Sequence, residues 1–362
     1  MIPVTKPYLP SREKLNKYLD GIYEREWLTN NGELVQELTR RLECYLGVEH
    51  LLLVANGTLA LQIAYRALGV TGQDSTTKSE IITTPFTFVA TASSQKWEGA
   101  EPVFVDIDAD TWCLDPNNIE AAITENTQAI VPVHVFGNAC DVSAIEHIAQ
   151  KHNLKVIYDA SHAFGVKYQG ESLLKHGDAA TLSFHATKLF HTGEGGAIVF
   201  KHKEDYERAK KMINFGITGP ETIEELGINA KMSELHAAMG LSVLDEIAEN
   251  LSARAKVWLR YEQELGSKLK LQKISNDVKY NYAYFSVLCE CERQVQYIKS
   301  SLKKKGVETR RYFFPSLNTL DIKKDKVTLY ISENISSRVL CFPMYYNIKE
   351  RWVLDVINSI VK

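Results

Sequence analysis

Seven short apolar runs, at residues 51–55, 81–84, 102–107, 129–135, 155–158, 180–184 and 197–200, alternate with helical patterns and glycine-bearing turns. Such runs lack the polar alternation of a half-solvated strand, so the sheet they form must be covered on both faces. Strands separated by helices belong to a mainly parallel sheet between helical layers. The sequence therefore predicts an α/β fold. Helices are expected over 34–45, ending at Gly47, and over 59–68, ending at Gly69. Another spans 141–151, where Asp141 can cap the free amides of its own first turn. A polar and aromatic helix start is read across 85–92.

The rhythm breaks at 216–231, a glycine-bearing polar stretch expected to form a surface or interface loop. Ser233 and Glu234 then open a helix through Leu244, and a longer charged helix follows to about residue 269. Beyond it come a strand at 282–288, a helix at 295–304, a strand at 338–342 and a last helix from near Lys349. With 362 residues the chain is long enough for two domains. The pattern predicts a large domain over 1–245 and a smaller α/β domain over 246–362. There is no internal repeat, and the only low-complexity tract is the short polar run 71–79.

The balance of 42 basic and 45 acidic side chains, a formal charge of -3, gives no reason to expect nucleic acid or an anionic membrane as a partner. No apolar run approaches the roughly 20 residues that cross a bilayer. Residues 1–7 have neither the basic start nor the apolar stretch of a signal peptide, so a cytoplasmic location is expected. The six cysteines are scattered, and Cys289 and Cys291, in a strand-like run, are expected to be reduced core thiols.

Two residues stand at strand ends with complementary chemistry. Asp159 follows the run 155–158, at the carboxyl end where open α/β sheets place ligands. Lys188 closes the run Ser183-Phe184-His185-Ala186-Thr187-Lys188. A carboxylate that can pair with a protonated pyridine nitrogen and an amine that can meet an aldehyde suit pyridoxal 5′-phosphate (PLP). Each residue also has a plainer reading, Asp159 as a turn or cap and Lys188 as a solvated lysine. The glycines of Thr192-Gly193-Glu194-Gly195-Gly196 permit close backbone approach behind Lys188. Partial desolvation there would favour the free amine. Gly57 and Thr58 open a helix straight after a strand, which makes either a phosphate cradle or an ordinary cap. Ser183 could add a phosphate donor, and Phe88 could stack on a ring or lie in the core. His162 could orient Asp159, lie beside the ring, or be a satisfied core histidine. There is no Walker A lysine pattern and no Gly-x-Gly-x-x-Gly, which argues against ATP hydrolysis and nicotinamide chemistry. His185, His191 and Asp159 match no common zinc spacing, so no metal is expected.

Together these residues resemble the DegT/DnrJ/StrS family of sugar aminotransferases, within the fold-type I PLP enzymes. The resemblance covers nearly the whole chain. It is carried by Leu28-Thr29-Asn30-Asn31-Gly32, Asn56-Gly57-Thr58-Leu59-Ala60-Leu61, Thr87-Phe88-Val89-Ala90-Thr91 and Asp106-Ile107-Asp108. It continues through Asp159-Ala160-Ser161-His162-Ala163-Phe164-Gly165 and the Lys188 run. It implies a seven-stranded, mainly parallel large-domain sheet, a bond from Lys188 to the cofactor, Asp159 at the ring nitrogen and Phe88 on the ring face. It further implies Gly57, Thr58 and Ser183 at the phosphate with His162 nearby. Asn229 matches an asparagine that in relatives reaches the neighbouring subunit's phosphate, which implies a homodimer with shared active sites.

Two departures stand out. Lys231 replaces a common arginine, keeping the charge but losing the bidentate fork. Pro315-Ser316-Leu317 replaces a Pro-x-His associated with substrate handling. The run from Arg310 to Thr319 looks most like members that aminate C4 of a dTDP-4-keto-6-deoxyhexose for O-antigen (lipopolysaccharide) synthesis, with L-glutamate as donor. His185, His191, Lys231 and Arg310 are the candidate sugar contacts. A 3-keto-sugar aminotransferase would keep every cofactor residue. A family dehydratase would carry histidine in place of Lys188, and a non-catalytic PLP-binding regulator would look similar at these positions.

Overall fold

The computed structural model describes residues 1–72, 79–322 and 327–361, so most of the polar run 71–79 lies outside the described residues. Seven strands build the main sheet: β1 (Leu51–Val54), β2 (Ser79–Thr83), β3 (Ala100–Phe104), β4 (Thr127–Val131), β5 (Lys155–Asp159), β6 (Ala179–Ser183) and β7 (Gly196–Phe200). Their order is β1-β7-β6-β5-β4-β2-β3. Pairings from β6 to β3 are parallel, and only β7 runs against its neighbours β1 and β6. The last pair of the β6–β7 ladder joins Ser183 to Gly196, so the chain bearing Lys188 leaves and rejoins the sheet at one place.

Successive residues of these strands enter opposite cores, which is why the runs carry no polar alternation. Ile81, Ala129, Ile157 and Ile198 face α3 (Gly57–Ala67), while Ile82, Ile130, Tyr158 and Val199 join the core on the other face. That second core takes in α2 (Glu33–Leu46), α5 (Val142–His152) and α7 (Glu234–Leu244). Gly47 and Asp141 act as read from the sequence. Gly47 ends α2 in a left-handed conformation (φ 67°), and the Asp141 carboxylate accepts from Ala144 N at 3.0 Å.

A third core, with Tyr261, Phe285, Val287, Ile298, Leu302, Phe342 and Val356, lies among α8 (Ile247–Leu265), α9 (Glu292–Lys304) and α11 (Glu350–Val361). It backs an antiparallel sheet of β8 (Lys270–Leu271), β9 (Ser286–Leu288) and β10 (Val339–Cys341). Helix α10 (Tyr330–Arg338) is joined to the large sheet by Asp106, just past β3, whose carboxylate accepts from Ile331 N at 3.0 Å and Ser332 N at 2.8 Å. The amino-terminal residues also cross over: Ile2 N donates to Gly306 O and Met344 N to Val4 O.

Several expectations are corrected. The helix read across 85–92 begins as α4 at Ala90 (Ala90–Trp97), because Thr84 Oγ1 accepts from Phe86 N and makes a local turn at Pro85. The strand read over 282–288 shrinks to β9, since Arg254 and Trp258 of α8 capture the carbonyls of Tyr282, Ala283 and Tyr284. Helix α8 stops at Leu265, short of 269. Helices α1 (Arg12–Arg25), α6 (Lys203–Met212) and α10 were not read from the sequence. Cys289 is buried, but Cys291 is exposed at the start of α9. The segment 216–231 carries a small hairpin, Ile217–Gly219 with Thr222–Ile223. No described helix is long and apolar enough to cross a membrane.

Candidate active site

A cavity of about 300 Å³ opens at the carboxyl ends of β2, β5 and β6 and is closed from the other side by Tyr284, Arg310, Tyr312 and Phe313. Asp159, the last residue of β5, is buried. Its Oδ2 accepts from Thr91 Oγ1 of α4 at 2.8 Å and its Oδ1 from Ser161 N at 3.1 Å. Thr91 has one hydroxyl proton, given to Asp159, so Thr87 Oγ1, 2.9 Å away, donates to it in turn. A relay of two threonines thus holds the carboxylate on the wall of the cavity.

Lys188 is half-buried on the same cavity. Burial pushes its amine down to about 8, against an upward pull from the negative charge of Asp159. A lysine in that state is a ready nucleophile at near-neutral pH. His162 is buried, and its Nδ1 accepts from Phe136 N at 3.2 Å, which leaves the ring proton on Nε2. Burial, reinforced by Lys188, holds this histidine well below its usual range, so it is a neutral donor. Its ring lies parallel to Phe313, with centroids 5.8 Å apart.

The amino end of α3 enters the cavity opposite. Asn56 caps it by accepting from Leu59 N at 2.9 Å. The amides of Gly57 and Thr58, in the first turn, have no acceptor within the helix and sit at the positive end of its dipole. A Cβ at Gly57 would fall 2.8 Å from the Ser183 Cβ, so the glycine is what lets this helix end press against β6. Free amides, the Thr58 hydroxyl and Ser183 therefore converge on one anion-sized corner. Phe88 lines the cavity with 55% of its surface exposed, and a flat ring could cover it.

The remaining sequence candidates divide. His185 lines the cavity, its Nδ1 2.8 Å from Thr187 Oγ1 and its Nε2 3.7 Å from Glu194. Arg310 also lines it, its guanidinium 4.7 Å above the Tyr312 ring. His191 does not line it: the side chain is buried, with Nε2 donating to Tyr8 O at 2.6 Å and Nδ1 accepting from Gly193 N. Asn229 is exposed and Lys231 half-buried, and neither lines the cavity. Lys231 Nζ donates to Asn214 Oδ1 at 2.8 Å and lies 5.2 Å over the Phe215 ring. The Pro315-Ser316-Leu317 departure also lies off the cavity, with Ser316 and Leu317 buried and Leu317 N bonded to Pro85 O.

Sequence reasoning missed Thr87, Thr91, Tyr284, Tyr312 and Phe313. The i,i+4 spacing of Thr87 and Thr91 was a usable signal, whereas the aromatic residues reach the cavity only through the packing of the second half of the chain. Among the described residues no group of His, Cys, Asp and Glu is arranged to hold a metal ion.

The chain is similar to known proteins over nearly its whole length. The profile of the DegT/DnrJ/EryC1/StrS aminotransferase family matches residues 10–361. A dTDP-4-amino-4,6-dideoxy-D-glucose transaminase of Shigella dysenteriae is 43% identical, over 99% of this chain and 98% of its own. One from Escherichia coli is 36% identical, over 98% and 96%. The crystal structure of DesI in the presence of its TDP-sugar product superposes with a TM-score of 0.91 at 33% identity, covering 99% of this chain and 91% of that one.

Proposed function

We propose a reaction for this chain, which belongs to the DegT/DnrJ/EryC1/StrS aminotransferase family and is a PLP-dependent sugar aminotransferase. It moves an amino group from L-glutamate to the C4 keto group of dTDP-4-dehydro-6-deoxy-D-glucose, giving dTDP-4-amino-4,6-dideoxy-D-glucose and 2-oxoglutarate. The observation that carries the reading is the meeting, in one cavity, of the Asp159 carboxylate, the low-pKa Lys188 amine and the open amino end of α3. The donor set fits PLP at three points: ring nitrogen, aldehyde and phosphate. The substrate comes from the relatives at 43% and 36% identity.

When bound, PLP supplies an electron sink for the carbon that loses or gains a proton. Asp159, fixed by Thr91 and Ser161, would hold the ring nitrogen and keep it protonated. The amides of Gly57 and Thr58, with Thr58 Oγ1 and Ser183 Oγ, take the phosphate. Phe88 would cover one face of the ring, and His162 would offer its Nε2 proton beside it. Lys188 would hold the cofactor through its amine and, when that amine is free, would serve as the base that moves a proton at the substrate carbon in both halves of the cycle. His185 and Arg310 are the sugar contacts of this protomer.

The active unit in this reading is a homodimer. Phe215, Ile217, Ile223, Leu226 and Ile228 are exposed apolar residues on the segment that also carries Asn229 and Lys231. An apolar patch of this kind suits an isologous interface. A partner seated on it would receive Asn229 at its phosphate corner and Lys231 near its sugar. His191, held by Tyr8, is assigned to shaping the Lys188 loop. Residues 1–245 form the cofactor domain and 246–362 the smaller domain that closes over the sugar. A cytoplasmic setting in O-antigen synthesis completes the reading.

The test supplies purified enzyme with L-glutamate and, in separate reactions, 3-keto and 4-keto dTDP-6-deoxyhexoses. NMR of the amino sugar should show a 4-amino product with the D-gluco configuration. A 3-amino product, or no amino sugar from either substrate, would overturn the assignment.

A further inference from the structure

Asp106 opens the Asp106-Ile107-Asp108 run and has no part in the reaction proposed above. It stands half-buried two residues past the carboxyl end of β3, at the edge of the sheet, and does not line the cavity around Lys188. Its carboxylate is taken up by α10. It accepts from Ile331 N at 3.0 Å, Ser332 N at 2.8 Å and the Ser332 hydroxyl. These amides belong to the first turn of α10 and have no acceptor within the helix. The residue just before the helix, Leu329, supplies no side-chain cap, although that is where a cap normally comes from. Here the cap comes from 225 positions away, across the boundary between the two proposed domains. A carboxylate there also faces the positive end of the helix dipole.

The other end of α10 reaches the wall of the cavity. Ser336, one turn after Ser332 and buried like it, donates from its Oγ to Phe313 O. Arg311 Nη2 donates to Ser337 O at 2.6 Å. The strand that follows α10 adds two backbone bonds, Arg310 N to Cys341 O at 3.2 Å and Cys341 N to Arg310 O at 2.7 Å. Arg310 and Phe313 are among the residues that close the cavity. The Phe313 ring lies parallel to Phe136 and His162, with centroids 5.7 and 5.8 Å away. One short helix thus ties an acid at the sheet edge to the wall that a sugar would meet.

We infer that Asp106 is a positioning residue for the keto-sugar substrate: through Ser332 and Ser336 of α10 it sets where Arg310 and Phe313 stand across the cavity. The inference rests on the sugar-aminotransferase reading above, with Arg310 as a sugar contact. Loss of the cap frees the first turn of α10, and the wall bonded to its last turn shifts with it. Asp159 and the neck of the Lys188 loop keep their own bonds, from Thr91 to Asp159 and from Phe184 N to Gly195 O, so the reacting groups stay in place.

Two variants test this from opposite ends of α10. Asp106→Asn keeps the size of the side chain but presents an amide hydrogen where one oxygen accepted. Ser336→Ala leaves the cap intact and removes the link to Phe313. Kinetics of the PLP-loaded enzymes are measured with L-glutamate and the 4-keto dTDP-6-deoxyhexose. Each variant should raise KM for the sugar about five- to tenfold, the size of one hydrogen bond, with kcat and the KM for L-glutamate within about twofold of wild type. The double variant should be little worse than Asp106→Asn alone, because both changes break one chain of contacts. Hydrogen exchange with peptide mass spectrometry on the cofactor-free proteins reads the same link without activity. Amides of 310–317 should exchange faster in both variants, and those of 183–196 at the wild-type rate. Should Asp106→Asn fail to fold, Ser336→Ala carries the same expectations. A lowered melting temperature with the sugar KM unchanged would make Asp106 a strut of the fold and overturn the inference. So would a loss in kcat alone, or wild-type exchange at 310–317 in both variants. If the wild-type enzyme forms no amino sugar, the proposed reaction fails, and the exchange experiment still decides whether Asp106 holds the wall.

Discussion

The depressed pKa of Lys188 can be measured directly on the cofactor-free protein. Burial takes the amine from the ordinary 10.5 to about 8, and the charge of Asp159 limits the fall. At pH 7.5 such a lysine is roughly one-quarter neutral, against roughly one part in a thousand for an unperturbed one, so it should react about 200-fold faster with an acylating reagent. Trace labelling of the apo-protein with isotopic acetic anhydride across pH 6–11, with peptide mass spectrometry, yields a titration curve for each lysine. The peptide carrying Lys188 should inflect near 8 while exposed lysines inflect above 10. Replacing Asp159 with Asn removes the opposing charge and should move the inflection lower still. The folded protein gives up this proton at a lower pH than the unfolded chain. From this group alone, apo-protein stability should therefore rise with pH between about 8 and 10.5. An inflection above 10, or an upward shift in the Asp159→Asn protein, would refute the picture of a desolvated amine facing a carboxylate.

Three further outcomes are expected. Lys188→Ala should lose the lysine-linked cofactor absorbance at the edge of the visible range together with transamination, and persistence of that absorbance would mean another lysine is the anchor. Thr91→Val removes the hydroxyl on Asp159 Oδ2; a hydrogen bond to a charged group contributes about 1.5–3 kcal/mol, so cofactor affinity should fall about ten- to hundredfold in equilibrium dialysis, and unchanged affinity would remove the threonine relay from the site. In the segment 216–231, Ile223→Asp with Leu226→Asp should halve the mass seen by light scattering and abolish activity, and a stable, active dimer would displace the interface from that segment.

The sheet was legible because a strand buried on both faces leaves a distinctive trace: Ile81 and Ile82, or Ala129 and Ile130, feed opposite cores. Direction was less visible. Apolar runs carry no polarity, although the connection between Ser183 and Gly196 is barely long enough for a parallel crossover. Asp159 closes β5, at the strand end where such sheets place ligands, and Lys188 follows five residues after β6; both line the cavity. The surroundings of His191 were not legible, since its partner is the carbonyl of Tyr8, 183 positions away. The 282–288 strand failed for a related reason: Arg254 and Trp258 claim the carbonyls that strand pairing would have used. The charged helix α6 was missed because it buries little beyond Ala209 and Met212, which leaves a faint periodic signal.

The reversed strand β7 has a kinetic consequence. Because β6 and β7 pair head to tail at Ser183 and Gly196, the segment bearing Lys188 is a loop pinned at both ends, with Phe184 N bonded to Gly195 O and Thr192 N to Phe184 O across its neck. A lysine on a parallel crossover would have a long arc in which to wander once displaced. Here the Lys188 amine is held on the same cavity as Asp159, so in the proposed reaction its effective molarity at the reacting carbon would remain high through both halves of the cycle. In that reading one residue would serve as anchor and proton carrier without any large backbone movement between the two tasks.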